Sequence, residues 1–241
     1  MKKYLLSILS ISSIFSDTIN IPNGYQSIQK RIDAAVQGDT VLVHQGEYFE
    51  NLILSKEISL LSSGIFNDIE SDWYDSNNVI VNTIVDGSYN GSCLSIINNN
   101  IKPIIKGFTF TNGNGTLVSE ASCSPDYKKT GGAIFIYQAY PTINYCRFIS
   151  NGNFLNDNTQ LYEGGAIVHY DDDDVEFDED RSVNDHNRNI PEFIDFRFNY
   201  FSNNISSSGL DIFSDFENII DVSNCVLTIS IVKKVGLINT P

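Results

Sequence analysis

The sequence predicts an all-β solenoid of about five coils, with a short helix that caps its N-terminal end. Two observations predict it. A short strand that opens on glycine recurs along the chain, beginning for example at Gly131 and again at Gly164, and a second strand pattern alternates with it. The intervals between copies vary while the strand patterns stay fixed, which is typical of coils whose strands are connected by loops of different length.

The first residues are expected to form a signal peptide. Lys2 and Lys3 precede the apolar stretch Tyr4–Phe15. At ~12 residues this stretch is shorter than the ~20 needed to span a bilayer. A buried N-terminal strand is the alternative. The expected organisation is a signal peptide over residues 1–16 and one solenoid domain over residues 17–241, either whole or truncated from a longer protein, and the expected location is secreted or at the cell surface.

Acidic residues outnumber basic ones, with 30 Asp and Glu against 15 Lys and Arg. Nucleic acids and anionic membranes bind basic patches. Neither is therefore an expected partner, and no apolar run after the first 16 residues is long enough for a transmembrane anchor.

Apolar residues at three- and four-residue steps predict a helix over about Tyr25–Val36 that ends before Gly38. Its single apolar face is expected to cover the open end of the coils. Three short strands and one turn are predicted after it: strand Thr40–Val43, turn Gln45–Glu47, strand Leu52–Leu54 and strand Ile58–Leu61.

The run "IPNGYQSIQKRIDAAVQGDTVLVHQGEYFENLIL" resembles the entry segment of right-handed parallel β-helix proteins of the pectin-lyase-like superfamily. The matching positions are Ser27–Gln29, Arg31–Ala35, Gly38–Val41, Val43, Gly46, Tyr48, Glu50 and Asn51. The resemblance implies a right-handed parallel β-helix. It implies no particular activity, although relatives include polysaccharide lyases and glycoside hydrolases.

The glycine-led strands align as "NGSCLSI" from Asn90, "GGAIFIY" from Gly131, "GGAIVHY" from Gly164 and "SGLDIFS" from Ser208. Alternation along a strand then predicts a core face and an outer face. The predicted core face carries Leu94, Phe135, Val168 and Ile212. The predicted outer face carries two columns, one of Cys93, Ile134, Ile167 and Asp211 and one of Ser95, Ile136, His169 and Phe213. The glycines are expected to allow sharp turns at positive φ, with a backbone ligand site as the alternative.

The second pattern aligns "IKGFTFTNG", "INYCRFISN", "FRFNYFSNN" and "VSNCVLTIS" without gaps. Two inward columns are predicted, one of Phe108, Cys146, Asn199 and Cys225 and one of Phe110, Phe148, Phe201 and Leu227. The pairing of the two patterns resembles the repeats of polymorphic outer-membrane and autotransporter-type passenger proteins. That resemblance implies a β-helix displayed at a surface.

The four cysteines fit no zinc spacing. Cys146 and Cys225 are expected to be core thiols, because two coils separate them by roughly 10 Å, beyond disulfide reach. Cys93 and Cys123 form the only pair for which a bridge is expected to be compatible with the fold.

The stretch Asp171–Asp180 has eight acidic residues in ten. It is expected to be a solvated loop, with weak calcium binding as the alternative. No other metal and no cofactor are predicted. His169 with Asp211 could form an acid–base pair, but a surface histidine is the simpler interpretation. His44 and His186 have no visible partner.

No catalytic residues are predicted, so the catalytic set is unknown at this stage. Lys106 and Arg197 share a column with Asn144 between them, and no acid cluster is expected to face them or Arg147. Asp195 is expected to be outward and apart from these groups. The predicted function is a secreted or cell-surface structural or binding module for polysaccharide or other cell-surface components, with Phe213, Ser95 and Asn144 offering sugars a surface. The alternative is a carbohydrate-active enzyme, a polysaccharide lyase or glycoside hydrolase.

Overall fold

A computed structural model describes residues 17–21, 27–66, 79–97, 100–120, 127–152, 162–170, 175–176, 193–206, 211–214, 219–226, 231–233 and 238–239. The chain winds as a right-handed parallel β-helix through three sheets, A, B and C, in turn. In the described part of the chain, five successive coils give a strand to all three sheets. The predicted fold class and coil number are thereby confirmed.

Sheet A contains Thr18–Ile21, Thr40–Val43, Ser59–Ser62, Ile104–Lys106, Thr142–Asn144, Phe193–Asp195, Ile219–Asp221 and Ile238–Asn239. Sheet B contains Gly46–Phe49, Thr83–Asp86, Thr109–Thr111, Arg147–Ile149 and Tyr200–Ser202. Sheet C contains Leu52–Leu54, Leu94–Ile97, Ile134–Tyr137, Ile167–Tyr170, Ile212–Ser214 and Ile231–Lys233. Two short 3₁₀ helices, Ser63–Phe66 and Val79–Asn82, lie between sheets A and B of the second coil.

The capping helix spans Ile28–Ala34 and buries Ile28 and Ile32 in the core, as its apolar stripe predicts. It is shorter than expected. Ala35 is already extended at ψ 148°, and the Asp39 carboxylate accepts a hydrogen bond from the Val36 amide at 2.8 Å, so the chain leaves the helix there. Val36 is consequently exposed, and Tyr25 lies outside the described residues.

The expected turn at Gln45–Glu47 is wrong, because Gly46–Phe49 is the first strand of sheet B. Its side chains alternate, with Tyr48 buried and Glu47 and Phe49 exposed. The Tyr48 hydroxyl donates to the carbonyl oxygen of His44 at 2.9 Å, which satisfies the one polar atom that the strand buries.

The corner between sheets A and B repeats one backbone conformation from coil to coil. Gly107, Tyr145, Phe198 and Asn224 occupy equivalent positions there, with φ of 81°, 57°, 57° and 58°. This left-handed conformation is ordinary for glycine and asparagine and strained for a bulky side chain. Two aromatic residues at this corner are therefore unusual.

Stacked aromatic rings fill the core behind sheet B, as the second repeat predicts. Phe110 and Phe148 stack with ring centroids 5.6 Å apart, and Phe148 and Phe201 stack at 4.8 Å. All three side chains are fully buried. Asn199 lies in the neighbouring inward column, where its amide donates to the carbonyl of Ile143 and accepts from the Cys146 amide, so that it joins successive coils.

Two further buried amides stack at the end of the sheet B strands. Asn151 donates to the Phe110 carbonyl at 3.0 Å and accepts from the Gly113 amide at 3.0 Å. Asn204 donates to the Phe148 carbonyl at 3.0 Å, and its oxygen accepts from the backbone amide of Asn151 at 3.1 Å. Each amide thus satisfies backbone groups that the turn leaves unpaired.

The predicted core face of the glycine-led strands is confirmed for Leu94 and Ile212, which lie in the main core. It is wrong by one residue in the two strands that open on a glycine pair, where Ile134 and Ile167 lie in the main core in place of Phe135 and Val168. Sheet C pairs Ile134 with Leu94 and with Ile167, and it pairs Ile167 with Ile212. The single glycine of the first repeat, Gly91, therefore aligns with the first glycine of each pair. All have positive φ, at 137° for Gly91, 63° for Gly131 and 61° for Gly164.

The second glycine of the pair is required by close packing of the backbone. A Cβ at Gly132 would overlap the carbonyl oxygen of Gly165 and the backbone of Gly152. The glycine pair is therefore structural at both positions, one for its conformation and one for the close approach of backbones.

Phe135 and Val168 point away from the main core and still are buried. They form a second cluster with Val118, Tyr170 and Phe213. A fourth sheet, D, provides Val118 and consists of Thr116–Glu120, Tyr127–Thr130, Tyr162–Glu163 and Val175–Glu176. Three of these strands lie in connections between sheets B and C, and Val175–Glu176 follows a strand of sheet C. Together they form a layer over the outer face of sheet C.

Cys93 is buried in the main core, not outward as predicted, and its thiol donates to the Thr111 carbonyl at 3.2 Å. It is a free thiol, so the bridge considered with Cys123 is not formed; Cys123 itself lies outside the described residues. Cys146 is a buried core thiol as predicted, and Cys225 packs against the core with part of its surface exposed. Burial raises the pKa of the Cys93 and Cys146 thiols to about 12, which makes both unreactive.

Candidate functional site

The outer face of sheet A carries a cluster of charged and amide side chains, here called the sheet A cluster: Asn144, Asp195, Arg197 and Asp221. Asp195 and Asp221 are register partners on adjacent strands. Arg197 donates two hydrogen bonds to the Asp195 carboxylate, from Nε to Oδ1 at 2.8 Å and from Nη2 to Oδ2 at 2.7 Å. Its Nε lies 3.7 Å from Oδ2 of Asp221. The expectation that no acid cluster faces Arg197 is therefore wrong.

Alignment of the repeats missed this cluster because the chain turns after the strand and brings the Arg197 guanidinium back to Asp195. Asp195 and Arg197 are two residues apart, and the Arg197 amide also donates to Asp195 Oδ1 at 3.1 Å. Alternation places both side chains on the outer face. The signal available in the sequence was the D-x-R spacing with an aspartate one coil later, at Asp221.

The electrostatics of the cluster follow from these contacts. Burial pushes the pKa of Asp195 upward, but the hydrogen bonds from Arg197 and Asn144 outweigh it and hold the pKa below its usual value. The same hydrogen bond, followed by the charge of Asp195, raises the pKa of Arg197. Both groups are charged at neutral pH, and 40% of the Arg197 side chain remains open to solvent.

Asn144 extends the cluster toward the preceding coil, where Lys106 is its register partner. The Asn144 amide nitrogen donates to Asp195 Oδ2 at 3.2 Å. Its oxygen is buried and, among the described residues, has no hydrogen-bond donor. The predicted column of Lys106, Asn144 and Arg197 is confirmed by this register.

An aromatic pair adjoins the cluster at the corner between sheets A and B. The rings of Tyr145 and Phe198 stack with centroids 5.0 Å apart and planes 11° from parallel. Both side chains are partly exposed. This pair, here called the aromatic corner, occupies the left-handed positions described above, next to Asn144 and Arg197 in the chain.

His169 and Asp211 do not form the predicted outward pair. His169 is fully buried inside the coil, where Nε2 lies 3.0 Å from the carbonyl oxygen of Ala139 and Nδ1 lies 3.3 Å from the Ser214 hydroxyl. Asp211 is also buried and accepts from the Asn204 amide at 3.1 Å. The shift of one residue in register accounts for the error, since it turns the histidine inward.

The surface predicted from Phe213, Ser95 and Asn144 is likewise not assembled. Phe213 is 7% exposed beneath sheet D, and the Ser95 hydroxyl pairs with that of Thr116 at 3.3 Å. Asn144 belongs to sheet A, on another side of the molecule. The Tyr170 hydroxyl of sheet C also donates to Glu163 of sheet D at 2.5 Å, a further contact between the two sheets.

Arg147 lies on the outer face of sheet B, and its guanidinium carbon sits 5.5 Å from the centroid of the Tyr200 ring. The predicted column of Thr109, Arg147, Tyr200 and Val226 is confirmed by the register. No carboxylate of the described residues is paired with Arg147.

Most of the other predicted positions lie outside the described residues. The acidic stretch 171–180 lies outside the described residues except for Val175–Glu176, so weak calcium binding there stays a prediction, and His186 also lies outside. His44 directly follows strand Thr40–Val43. Within the described ranges, no three His, Cys, Asp or Glu side chains are grouped to hold a metal ion.

Comparison with known proteins finds a curated relative and several similar solved structures. No model of a known protein family matches the chain. The chain is 28% identical over 185 residues to a cell surface glycoprotein of Methanothermus fervidus, a match that covers 68% of this chain and 30% of that protein. This chain therefore spans less than a third of the length of that relative.

Two solved structures are similar at 12% identity. Pectin methylesterase PemA from Erwinia chrysanthemi gives a TM-score of 0.32, over 89% of this chain and 79% of that one. The Escherichia coli protein ybhc gives 0.29, over 92% and 74%. In the described residues, no helix is both long and apolar enough to cross a membrane.

Proposed function

We propose that this chain is a β-helix module of a secreted or cell-surface protein and that it binds carbohydrate through the outer face of sheet A. The observation that carries the proposal is the aromatic corner beside the sheet A cluster. Left-handed backbone at a bulky residue costs ~1–3 kcal/mol. A partly exposed aromatic pair at two such positions, where the adjacent coils have Gly107 and Asn224, is poorly explained by packing alone.

Sugars need the two kinds of group that this face brings together. The apolar face of a pyranose ring packs on an aromatic ring, as Tyr145 could provide, and its hydroxyls take charge-assisted hydrogen bonds. The Arg197 side chain is 40% exposed beside Asp195 and Asp221, so it is the charged group of this face that a sugar hydroxyl can reach. The name of the Methanothermus fervidus relative supports the surface location.

A polysaccharide lyase or glycoside hydrolase is the second candidate, favoured by the carboxylates of Asp195 and Asp221 on adjacent strands. Glycoside hydrolases use two carboxylates, one of which must be a protonated acid. The lowered pKa of Asp195 keeps that group ionised, and the side-on donors of Arg197 face Asp195 instead of a substrate. The cluster therefore suits binding better than catalysis.

The test is a screen of the purified chain against immobilised polysaccharides, with Tyr145→Gly as the variant. Glycine removes the ring and relieves the positive φ, so the variant should be at least as stable as the parent and should lose binding. Phe66→Ala removes a ring that is 69% exposed elsewhere and should bind like the parent. Binding that survives Tyr145→Gly unchanged would contradict the proposal. Release of new reducing or unsaturated ends, abolished by Asp221→Asn, would establish the enzyme instead.

A further inference from the structure

Three asparagines of this chain begin the triplet Asn-x-Ser/Thr, the acceptor sequence for an N-linked glycan: Asn90, Asn114 and Asn204. Each follows a strand of sheet B within a few residues. In a chain so rich in asparagine the triplet alone cannot choose between them. A glycan is bulky, so the folded chain has to leave room for it at the asparagine. The surroundings of each side chain therefore decide which one can carry it.

Asn114 and Asn204 are enclosed by the stacked coils. Asn114 is 6% exposed, and its amide nitrogen donates to the carbonyl oxygen of Tyr89 at 3.3 Å. Asn204 is 7% exposed, and its amide nitrogen donates both to the Phe148 carbonyl at 3.0 Å and to the Asp211 carboxylate at 3.1 Å. A sugar on either nitrogen would need space that the adjacent coils already fill.

Asn90 is exposed, and its side chain makes no hydrogen bond with the described residues. It ends a tight turn, because its backbone amide donates to the Gly87 carbonyl at 2.9 Å, and the two residues between, Ser88 and Tyr89, have φ of 50° and 55°. The Asp86 carboxylate accepts from the Ser88 amide at 2.7 Å and fixes this turn. A turn of fixed shape thus carries the free amide of Asn90 at the surface.

The hydroxyl that completes the triplet of Asn90 is closed off in the folded chain. Ser92 is 3% exposed, its Oγ donates to the Gly131 carbonyl at 2.6 Å, and it lies 2.8 Å from the Thr116 hydroxyl. Gly131 and Thr116 both belong to the third coil, which packs on the second. An enzyme that recognises the triplet reads this hydroxyl. It can therefore reach Ser92 only before the third coil is in place.

We propose that Asn90 is the one of these three asparagines that carries an N-linked glycan in the folded protein, and that the glycan is attached before the third coil packs on the second. A bond forms between Nδ2 of Asn90 and the anomeric carbon of a sugar that is activated as a glycosyl diphosphate. The bond from that carbon to the diphosphate breaks, the diphosphate leaves with the electron pair, and Nδ2 loses a proton.

This inference rests on the proposed secretion of the chain, since N-linked glycans belong to the surface loops of secreted proteins. Asn90 lies between strands Thr83–Asp86 of sheet B and Leu94–Ile97 of sheet C. The attachment site is therefore not part of the proposed carbohydrate-binding face on sheet A.

The test is expression of the full chain in cultured eukaryotic cells that attach N-linked glycans. Peptide N-glycosidase in heavy-oxygen water converts each glycosylated asparagine into a labelled aspartate, which peptide mass spectrometry locates. In folded protein, Asn90 should be labelled, and Asn114 and Asn204 should not. Asn90→Gln should lose the glycan and melt at the same temperature as the deglycosylated parent. Asn82→Gln, at an exposed asparagine outside any triplet, should keep the glycan.

An unlabelled Asn90 in protein recovered from the secretory lumen or the medium would overturn the proposal, as would label on Asn114 or Asn204 in folded protein. Two versions of the chain separate this result from a failure of secretion. One has its own first residues alone, and the other has an established leader in front of residue 1. Glycosylation of the second version only would contradict the proposed secretion and leave the acceptor assignment standing.

The order of events is tested with a purified oligosaccharyltransferase and its lipid-linked donor. The folded chain, purified from bacteria, should stay unmodified at Asn90. The N-acetylated, C-amidated pentapeptide Ser-Tyr-Asn-Gly-Ser, the sequence of residues 88–92, should be modified because its hydroxyl is free. Melting curves check that the chain is folded. Equal modification of the chain and the peptide would contradict attachment before the coils pack.

Discussion

Glu50 and Lys56 hold opposite ends of the same helix, Ile28–Ala34. The Glu50 carboxylate accepts from the amides of Ile28 at 2.8 Å and Gln29 at 3.0 Å, at the end where the helix leaves amides unpaired. Lys56 donates at the other end to the carbonyls of Ile32, Asp33 and Ala35, at 3.0, 2.7 and 2.8 Å. The first coil thus fixes its own cap through polar contacts that surround the buried Ile28 and Ile32.

Removing either contact should loosen the cap without touching its apolar face. Glu50→Ala and Lys56→Met should each lower the free energy of unfolding by about 1–3 kcal/mol. Urea unfolding is the measurement, and the two losses should add in the double variant because the groups share no partner. Lys30→Met, at an exposed lysine of the same helix, is the control. A double variant no less stable than the worse single variant would contradict independent ends.

Asn151→Ala should be among the most damaging polar substitutions. It leaves the Gly113 amide buried without its side-chain acceptor, at about 1–3 kcal/mol, and removes a hydrogen bond to the Phe110 carbonyl. Ser59→Ala, at a half-buried serine on sheet A, is a matched control and should cost little. Thermal unfolding followed by circular dichroism compares them. Equal melting temperatures for the two variants would show that the stacked amides contribute nothing.

Gly132→Ala and Gly38→Ala separate packing from conformation. At Gly132 an added Cβ would overlap the backbone of Gly165 and Gly152. The variant should therefore either fail to fold or have a free energy of unfolding that is lower by several kcal/mol, on the order of the most destabilising core substitutions. Gly38 has φ 90° with nothing within 4 Å of an added Cβ, so the cost should be about 1–2 kcal/mol. Soluble yield and unfolding free energy are the measurements. A Gly132→Ala protein as stable as Gly38→Ala would mean that the coils can move apart.

The Asp195–Arg197 pair should make stability depend on pH. Because the pKa of Asp195 is lowered in the folded state, the pair stabilises above the unfolded pKa of about 3.9 and loses its contribution as pH falls through the folded value. Asp195→Asn should therefore destabilise the protein at pH 7 and differ less from the parent below about pH 4. Denaturant unfolding at several pH values tests this. A difference that is constant from pH 7 to pH 2 would contradict the assigned ion pair.

The second repeat could be predicted because only one side of its strands is apolar. Phe110, Phe148 and Phe201 alternate with polar or half-exposed residues, so the inward column is defined by the pattern alone. The capping helix was predictable for the same reason, since Ile28 and Ile32 are its only deeply buried side chains.

The glycine-led strands defeated the same reasoning, because sheet D buries their outer face as well. Ile134, Phe135 and Ile136 are all fully buried, so alternation of apolar and polar residues cannot show which side chains point into the main core. The sheet A cluster also escaped prediction. It depends on a guanidinium that folds back two residues along the chain, from Arg197 to Asp195, and a column alignment compares residues between coils and not within one.

Gly107, Tyr145, Phe198 and Asn224 share one bend although their side chains have little in common. The coils on either side therefore impose the conformation, and the side chain at the bend can change without loss of the architecture. Proteins of this architecture should accordingly diverge at their bends faster than inside their coils. A sequence profile that requires glycine or asparagine at this position would miss the two coils that carry aromatic residues. A profile based on the inward phenylalanine column would still detect both coils.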